Sequence, residues 1–286
     1  MEQFMPDHQS NPLAGYFRQP AIYLKLPSQG RWWPQGSLEL PQNGEIGIMP
    51  MSTKDEIIIK TPDALLNGQG VVDVIQSCCS NIKDAWAMPS VDVDAVIIAI
   101  RIATYGNKMT VNSKCPKCNS ANEHEIELGA VLENINCPDF DTPVQYRDLG
   151  IQLRPRPYFE VNKTNMLAFE QQKILEVLNI SGLEKSEQAE QISKIVEKIV
   201  ESGIEGIAAG TEYIELPNGN RVSNHQHIKE FYNNAENEVI RSIQSKNTDL
   251  IESSKPKDFN AECSDCQHQY KVAIEFDYSS FFDQGF

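Results

Sequence analysis

Apolar and polar positions change their period along this chain, and the changes mark its elements. Residues 15–59 read as β. Ile22, Leu24 and Leu26 alternate with Tyr23 and Lys25, the two-residue period of a half-buried strand. Leu38-Glu39-Leu40 and Ile46-Gly47-Ile48 flank Pro41-Gln42-Asn43-Gly44, which predicts a hairpin with Asn-Gly in its loop. Ile57-Ile58-Ile59 reads as a further short β run. Past Thr61 the period becomes helical. A short segment opens at Pro62 and stops at Asn67-Gly68, and a second helix covers about residues 70–80. A third opens at Ser90, a favoured N-cap, and runs through Val93, Val96, Ile97, Ile100 and Ile102 to Gly106. It is apolar almost all round, the mark of a central buried helix. Asp92 and Asp94 fall in its first turn, where carboxylates suit the helix dipole.

Residues 131–257 mix both periods. Val144, Tyr146, Leu149, Ile151 and Leu153 predict a hairpin turning at Asp148-Leu149-Gly150, ended by Pro155 and Pro157. Helices are expected over 164–178 and 186–208, joined through Ser181-Gly182 as an antiparallel pair. A second hairpin follows, Tyr213 to Leu216 and Arg221-Val222 about Pro217-Asn218-Gly219-Asn220. Ser223-Asn224-His225-Gln226 resembles a capping box and opens a last helix with Ile228, Phe231, Tyr232, Ala235, Val239 and Ile243 on one stripe. All these stripes are expected to be core.

The chain has 286 residues, enough for about two modules at the usual length. It is 40% hydrophobic and 23% charged, as globular proteins are. No stretch approaches the roughly 20 apolar residues of a membrane span. Residues 1–14 are polar, contain Pro6 and Pro12, and lack the basic start and apolar run of a signal or transit peptide; they read as a flexible arm. A net charge of −15 and no dense Lys/Arg cluster argue against nucleic acid as a partner.

Four of the seven cysteines form two Cys-x-x-Cys pairs, Cys115/Cys118 and Cys263/Cys266, about half the chain apart. Four thiolates are the full ligand set of a closed tetrahedral zinc site. Strand-like runs follow each pair, His124 to Leu128 and Tyr270 to Phe276, which is how a zinc ribbon is built. A redox role fits less well, because a thioredoxin-like pair opens a helix. The odd cysteine count argues against a disulfide framework. Cys78 and Cys79 read as buried helix residues, and Cys137, before Pro138, as a spare thiol. His124 reads as a strand-surface residue, and His225 and His227, two apart in a helix, make a poor metal pair. There is no phosphate-binding glycine loop and no Gly-x-Ser-x-Gly elbow. The pattern gives no catalytic residues and no small-molecule substrate. The fold expected is α+β: a flexible arm (1–14), a small N-terminal β region with buried helices (15–110), a zinc ribbon (111–130 and 258–276) split by a large, mostly helical insertion (131–257), and a C-terminal tail (277–286). Trp32 and Trp33 read either as cover for the small sheet or as a protein-binding surface.

Several blocks together resemble the baseplate proteins of T4-like contractile-tailed bacteriophages, the hub and hub-assembly subunits. They are Arg31-Trp32-Trp33-Pro34 with Gly36 to Glu39; Met49-Pro50-Met51 with Lys54 to Glu56; Lys60 to Gly68; Ile82-Lys83-Asp84; Met88-Pro89-Ser90 with Asp92 and Asp94; and Ile100 to Gly106. Cys115 begins its pair where that family places one, and Phe276 to Phe282 resembles the closing block. The resemblance implies a structural or assembly role through contacts with other baseplate and hub proteins, a place in the virion tail, and no catalytic residues. It gives Trp32, Trp33, Phe281 and Phe282 a use as contact residues. Two other readings stand beside it: a zinc-ribbon adaptor of nucleic-acid machinery, which the same knuckles could serve, and a metal-assisted hydrolase.

Overall fold

A computed structural model describes residues 12–61, 68–180, 185–274 and 281–282. The arm before residue 12, the segment after Pro62, the Ser181-Gly182 connection and the end of the Tyr270–Phe276 run lie outside the described residues. The fold is mixed α+β with small sheets.

Strands β1 (Ile22–Lys25) and β2 (Glu45–Ile48) pair antiparallel, with Leu24 opposite Ile46 and Ile22 opposite Ile48. This differs from the hairpin predicted between 38–40 and 46–48. Pairing β1 with β2 turns Leu24, Ile46 and Ile48 into one buried face, whereas Leu40 stays exposed and Leu38 makes only a single bridge to Ile82. The isoleucine run is not a strand either. Helix α1 (Thr53–Ile59) is opened by a reciprocal capping box in which Ser52 Oγ accepts the Asp55 N–H and Asp55 accepts the Ser52 N–H. Helical period then buries Ile59 and leaves Ile57 outside.

Helix α2 (Gln69–Cys78) starts after Gly68, whose φ of 76° belongs to the left-handed region open to glycine. Helix α3 (Ser90–Tyr105) is the predicted central helix, with Val96, Ile97, Ile98 and Ile100 fully buried. Its N-cap is Pro89, without a side-chain cap, so Ser90 lies inside the first turn. Asp92 does not lie open at the helix end. It is fully buried and accepts bonds from the Ser28 backbone N–H (2.8 Å), the Ser28 hydroxyl and Trp33 Nε1 (2.8 Å). Cys78 and Cys79 sit in the same core.

Two hairpins follow in sequence at opposite ends of the remaining chain: β3 (Lys108–Lys114) with β4 (Ala121–Glu127), and β9 (Phe259–Glu262) with β10 (Gln269–Val272). Between them lie α4 (Leu128–Glu133) and a four-stranded antiparallel sheet in the order β5 (Val144–Tyr146), β6 (Leu149–Leu153), β7 (Thr211–Glu215), β8 (Arg221–Val222). Helices α5 (Tyr158–Ile180) and α6 (Lys185–Ala209) join β6 to β7. The single last helix of the sequence reading is two, α7 (His225–Asn234) and α8 (Asn237–Ser254). Ala235 and Glu236 are extended, and Glu236 is held by Arg147 (2.7 Å) and the Tyr146 hydroxyl (3.1 Å). That break lets Ile228, Tyr232, Val239 and Ile243 reach one core over the sheet. The N-cap of α7 is Asn224, one residue after the predicted Ser223; it accepts the His227 N–H. Not all helical stripes are core. Ile192, Val196, Ile199 and Val200 of α6 are about half exposed.

Candidate metal centre

The two cysteine pairs occupy the tips of the two hairpins, and each tip is built the same way. Cys115 N–H donates to Ser120 O and Asn119 N–H returns to Cys115 O, both at 2.9 Å. In the second tip Cys263 N–H donates to His268 O (3.0 Å) and Gln267 N–H returns to Cys263 O (2.9 Å). The residue after each pair takes a left-handed conformation, Asn119 at φ 63° and Gln267 at φ 58°. That bend closes the loop and aims both thiols of a pair to one side.

The tips face each other although Cys118 and Cys263 stand 145 positions apart. Cys115 Sγ lies 3.7 Å from Cys266 Sγ, Cys118 Sγ lies 3.5 Å from Cys263 Sγ, and all four sulfurs fall within 4.8 Å of one another. A zinc ion with bonds of about 2.3 Å to four thiolates separates the sulfurs by about 3.8 Å. The donor set therefore fits such an ion. A disulfide, at about 2.0 Å, is far shorter than either contact. Cys115 and Cys263 are buried and Cys118 is exposed, so the cluster has one open side.

Asn122 organises the site and was not singled out in the sequence. Its Oδ1 accepts from the Ser264 N–H (2.9 Å) and hydroxyl (3.0 Å), and its Nδ2 donates to Ser120 O (3.0 Å) and approaches Cys263 Sγ at 3.6 Å. Ser120 also bonds Asp265 across the tips. The Cys263 thiol is lowered to about 6, first by the Cys266 backbone N–H and then, against burial, by the Asp265 N–H, Cys118 and Asn122. Cys118 is pushed up to about 12: the Ser120 N–H lowers it, but its bonds to Cys266, Cys263 and Cys115 outweigh that. Four thiols this close cannot all ionise without a cation between them.

A second set of contacts joins the hairpins below the tips. The Ser113 hydroxyl meets His124 Nε2 at 3.0 Å and the Tyr270 hydroxyl at 2.8 Å, and His124 Nε2 is 3.3 Å from that same hydroxyl. His124 is thus on the strand, apart from the sulfurs. His225 Nε2 is engaged by Glu205 at 2.8 Å.

A family model described as T4 bacteriophage base plate protein matches residues 33–283. The chain belongs to that family. The match contains both cysteine pairs and everything between them, including the helical region that the sequence blocks did not cover. No curated protein and no solved structure matches. Membership gives this chain a structural role in the phage baseplate and implies interaction with other phage tail proteins. Among the described residues no helix is long and apolar enough to cross a membrane.

The aromatic residues singled out in this baseplate protein all make contacts within the chain. Trp33 packs on the N-terminal core and bonds Asp92; Trp32 packs on the second core, edge-on to Phe140 at 5.3 Å. Both tryptophans are half-buried. Phe281 and Phe282 are each 1% exposed. They lie perpendicular to each other against α3, where the buried Arg101 donates to the Phe281 carbonyl at 2.7 Å.

Proposed function

We propose that this chain is a zinc-stapled subunit of the hub region of a contractile-tail baseplate, acting as a structural or assembly component through protein–protein contacts. The observation that carries this reading is the family match across residues 33–283, which encloses the four converging cysteines. In this reading Cys115, Cys118, Cys263 and Cys266 hold one zinc ion. All four coordination positions are then filled by protein, which suits a staple and leaves no place for a substrate. The contact role of Trp32 and Trp33 belongs to the part of each ring left in solvent. Phe281 and Phe282 contribute from inside, by packing against α3.

The test has two parts. Purified tail particles are analysed by mass spectrometry, and a phage carrying Cys115→Ser is scored for tail assembly. The chain is expected in baseplates or in their hub intermediates, with fewer complete tails from the variant. Normal tails assembled without the chain would overturn the proposal.

A further inference from the structure

Helix α6 is apolar on more than the side that meets its own protein. Ile195, Ile207 and Ala208 are buried, whereas Ile192, Val196, Ile199 and Val200 are 43%, 52%, 50% and 54% exposed. The outward residues are not scattered. Ala189, Ile192, Val196, Ile199 and Gly203 are all exposed and follow one another at steps of three, four, three and four. That alternation keeps one straight stripe on a helix and is the seam along which a second helix packs in a coiled coil. Open space surrounds Gly203 on the side where a side chain would stand, so a neighbouring backbone can approach closely there.

The flanks of the seam indicate which helix. In coiled coils, charges beside the seam choose the partner. Here the flanking positions are Ser193, Ile195, Val200 and Ser202, with no charge among them. The charges next to these positions are Glu190 and Lys194, paired within α6 at 2.7 Å, and Glu197 and Lys198, of opposite sign and each adjacent to a seam residue. In an antiparallel pair centred between Val196 and Ile199, Glu197 of one copy stands level with Lys198 of the other and Lys194 with Glu201, so two identical helices meet opposite charges. Antiparallel pairing sets Val196 of one copy against Ile199 of the other and Ile192 against Gly203, large against small, with the helix dipoles opposed.

We infer that the outer face of α6 is a self-association surface, seating a second copy of this chain along Ile192, Val196 and Ile199. This inference is independent of the baseplate reading, since it concerns the isolated protein. A seam of about 20 Å is short, so the dimer should be weak and should build up with concentration.

Sedimentation of the full, metal-loaded chain up to about 100 µM tests it. The mass is expected to rise with concentration from 32.2 kDa towards twice that value. The double variant Val196→Glu/Ile199→Glu is expected to remain a monomer with an unchanged circular dichroism spectrum and melting temperature. Ile57→Glu, which alters an exposed isoleucine on α1 instead, should still dimerise. A wild-type chain that stays monomeric, a double variant that still dimerises, or a seam covered only when another tail protein is added would each overturn the inference.

Discussion

Asp92 is fully buried and has three hydrogen-bond donors around it: the Ser28 N–H, the Ser28 hydroxyl and Trp33 Nε1. Removing it leaves the N–H of Ser28 and the indole N–H of Trp33 without acceptors in the core. Each such orphan costs about 1–3 kcal/mol, so Asp92→Ala is expected to lower stability by about 3 kcal/mol in urea unfolding. Burial is the first cause acting on its carboxyl and raises it above the usual carboxylate range, against the bonds from Ser28 and Trp33. The folded chain therefore holds this proton more tightly than the unfolded one. The resulting stabilisation is full below the unfolded value of about 3.9 and is lost as pH rises through the raised folded value. The stability difference between wild type and Asp92→Asn should shrink as pH rises through that window; a difference that grows would contradict it. At the candidate metal centre, Asn122→Ala is expected to weaken binding of the proposed zinc about 10- to 100-fold in competition with a chelator, because the Ser264 and Cys263 contacts lose their partner. The cysteines were legible because four like ligands in two pairs leave few other uses. Asn122 was not, since an asparagine after a knuckle carries no spacing signal until the second hairpin is placed against it. Asp92 was visible only as a helix-end carboxylate, because Ser28 and Trp33 are distant in sequence.

Local signals decided some elements and long-range packing decided others. Ile57-Ile58-Ile59 has β-branched side chains, yet Ser52 and Asp55 close a capping box before it and commit the segment to a helix. Ser52→Ala is expected to cost about 1 kcal/mol and Ser52→Gly only roughly a few tenths of a kcal/mol, as read by thermal unfolding. The α7–α8 stripe is continuous in sequence, and period alone gives no reason for a break. The break comes from Arg147 and Tyr146 gripping Glu236, contacts about 90 positions away in the chain. Likewise β2 takes β1 as its partner and passes over the nearer residues 38–40, because that register buries Leu24 and Ile46 together. The period revealed α3 fully, since its apolar residues go all round and it has only one place to be. For α6 the same kind of pattern was read as core, although half of it faces solvent.

At the scale of the whole molecule the cysteine cluster joins hairpins whose thiols, Cys115 and Cys266, are 151 positions apart. Holding ends that far apart together costs about 4–5 kcal/mol in loop entropy, a term that the Ser113–His124–Tyr270 contacts alone offset only in part. Removal of the zinc proposed for this cluster should therefore loosen both hairpins at once. Amide exchange is expected to speed up across 108–127 and 259–272 together while α2 and α3, in the N-terminal core, stay protected. Thiol chemistry gives a second reading of the same event. Burial pushes the Cys78 thiol up to about 12, with Asp55 adding to it and Arg18 opposing it, and burial drives Cys79 higher still. Those two thiols should resist alkylation at neutral pH with or without metal. The four knuckle thiols should be protected while the proposed zinc is bound and modified after chelation, when the hairpins part and Cys118, already exposed, loses the neighbouring thiols that push it up. Alkylation counted by mass is then expected to gain four groups on metal removal, with Cys78 and Cys79 untouched. Modification of Cys78 and Cys79 in the same step would instead mean that the metal holds up the N-terminal core itself, and the two hairpins would cease to be a separable staple.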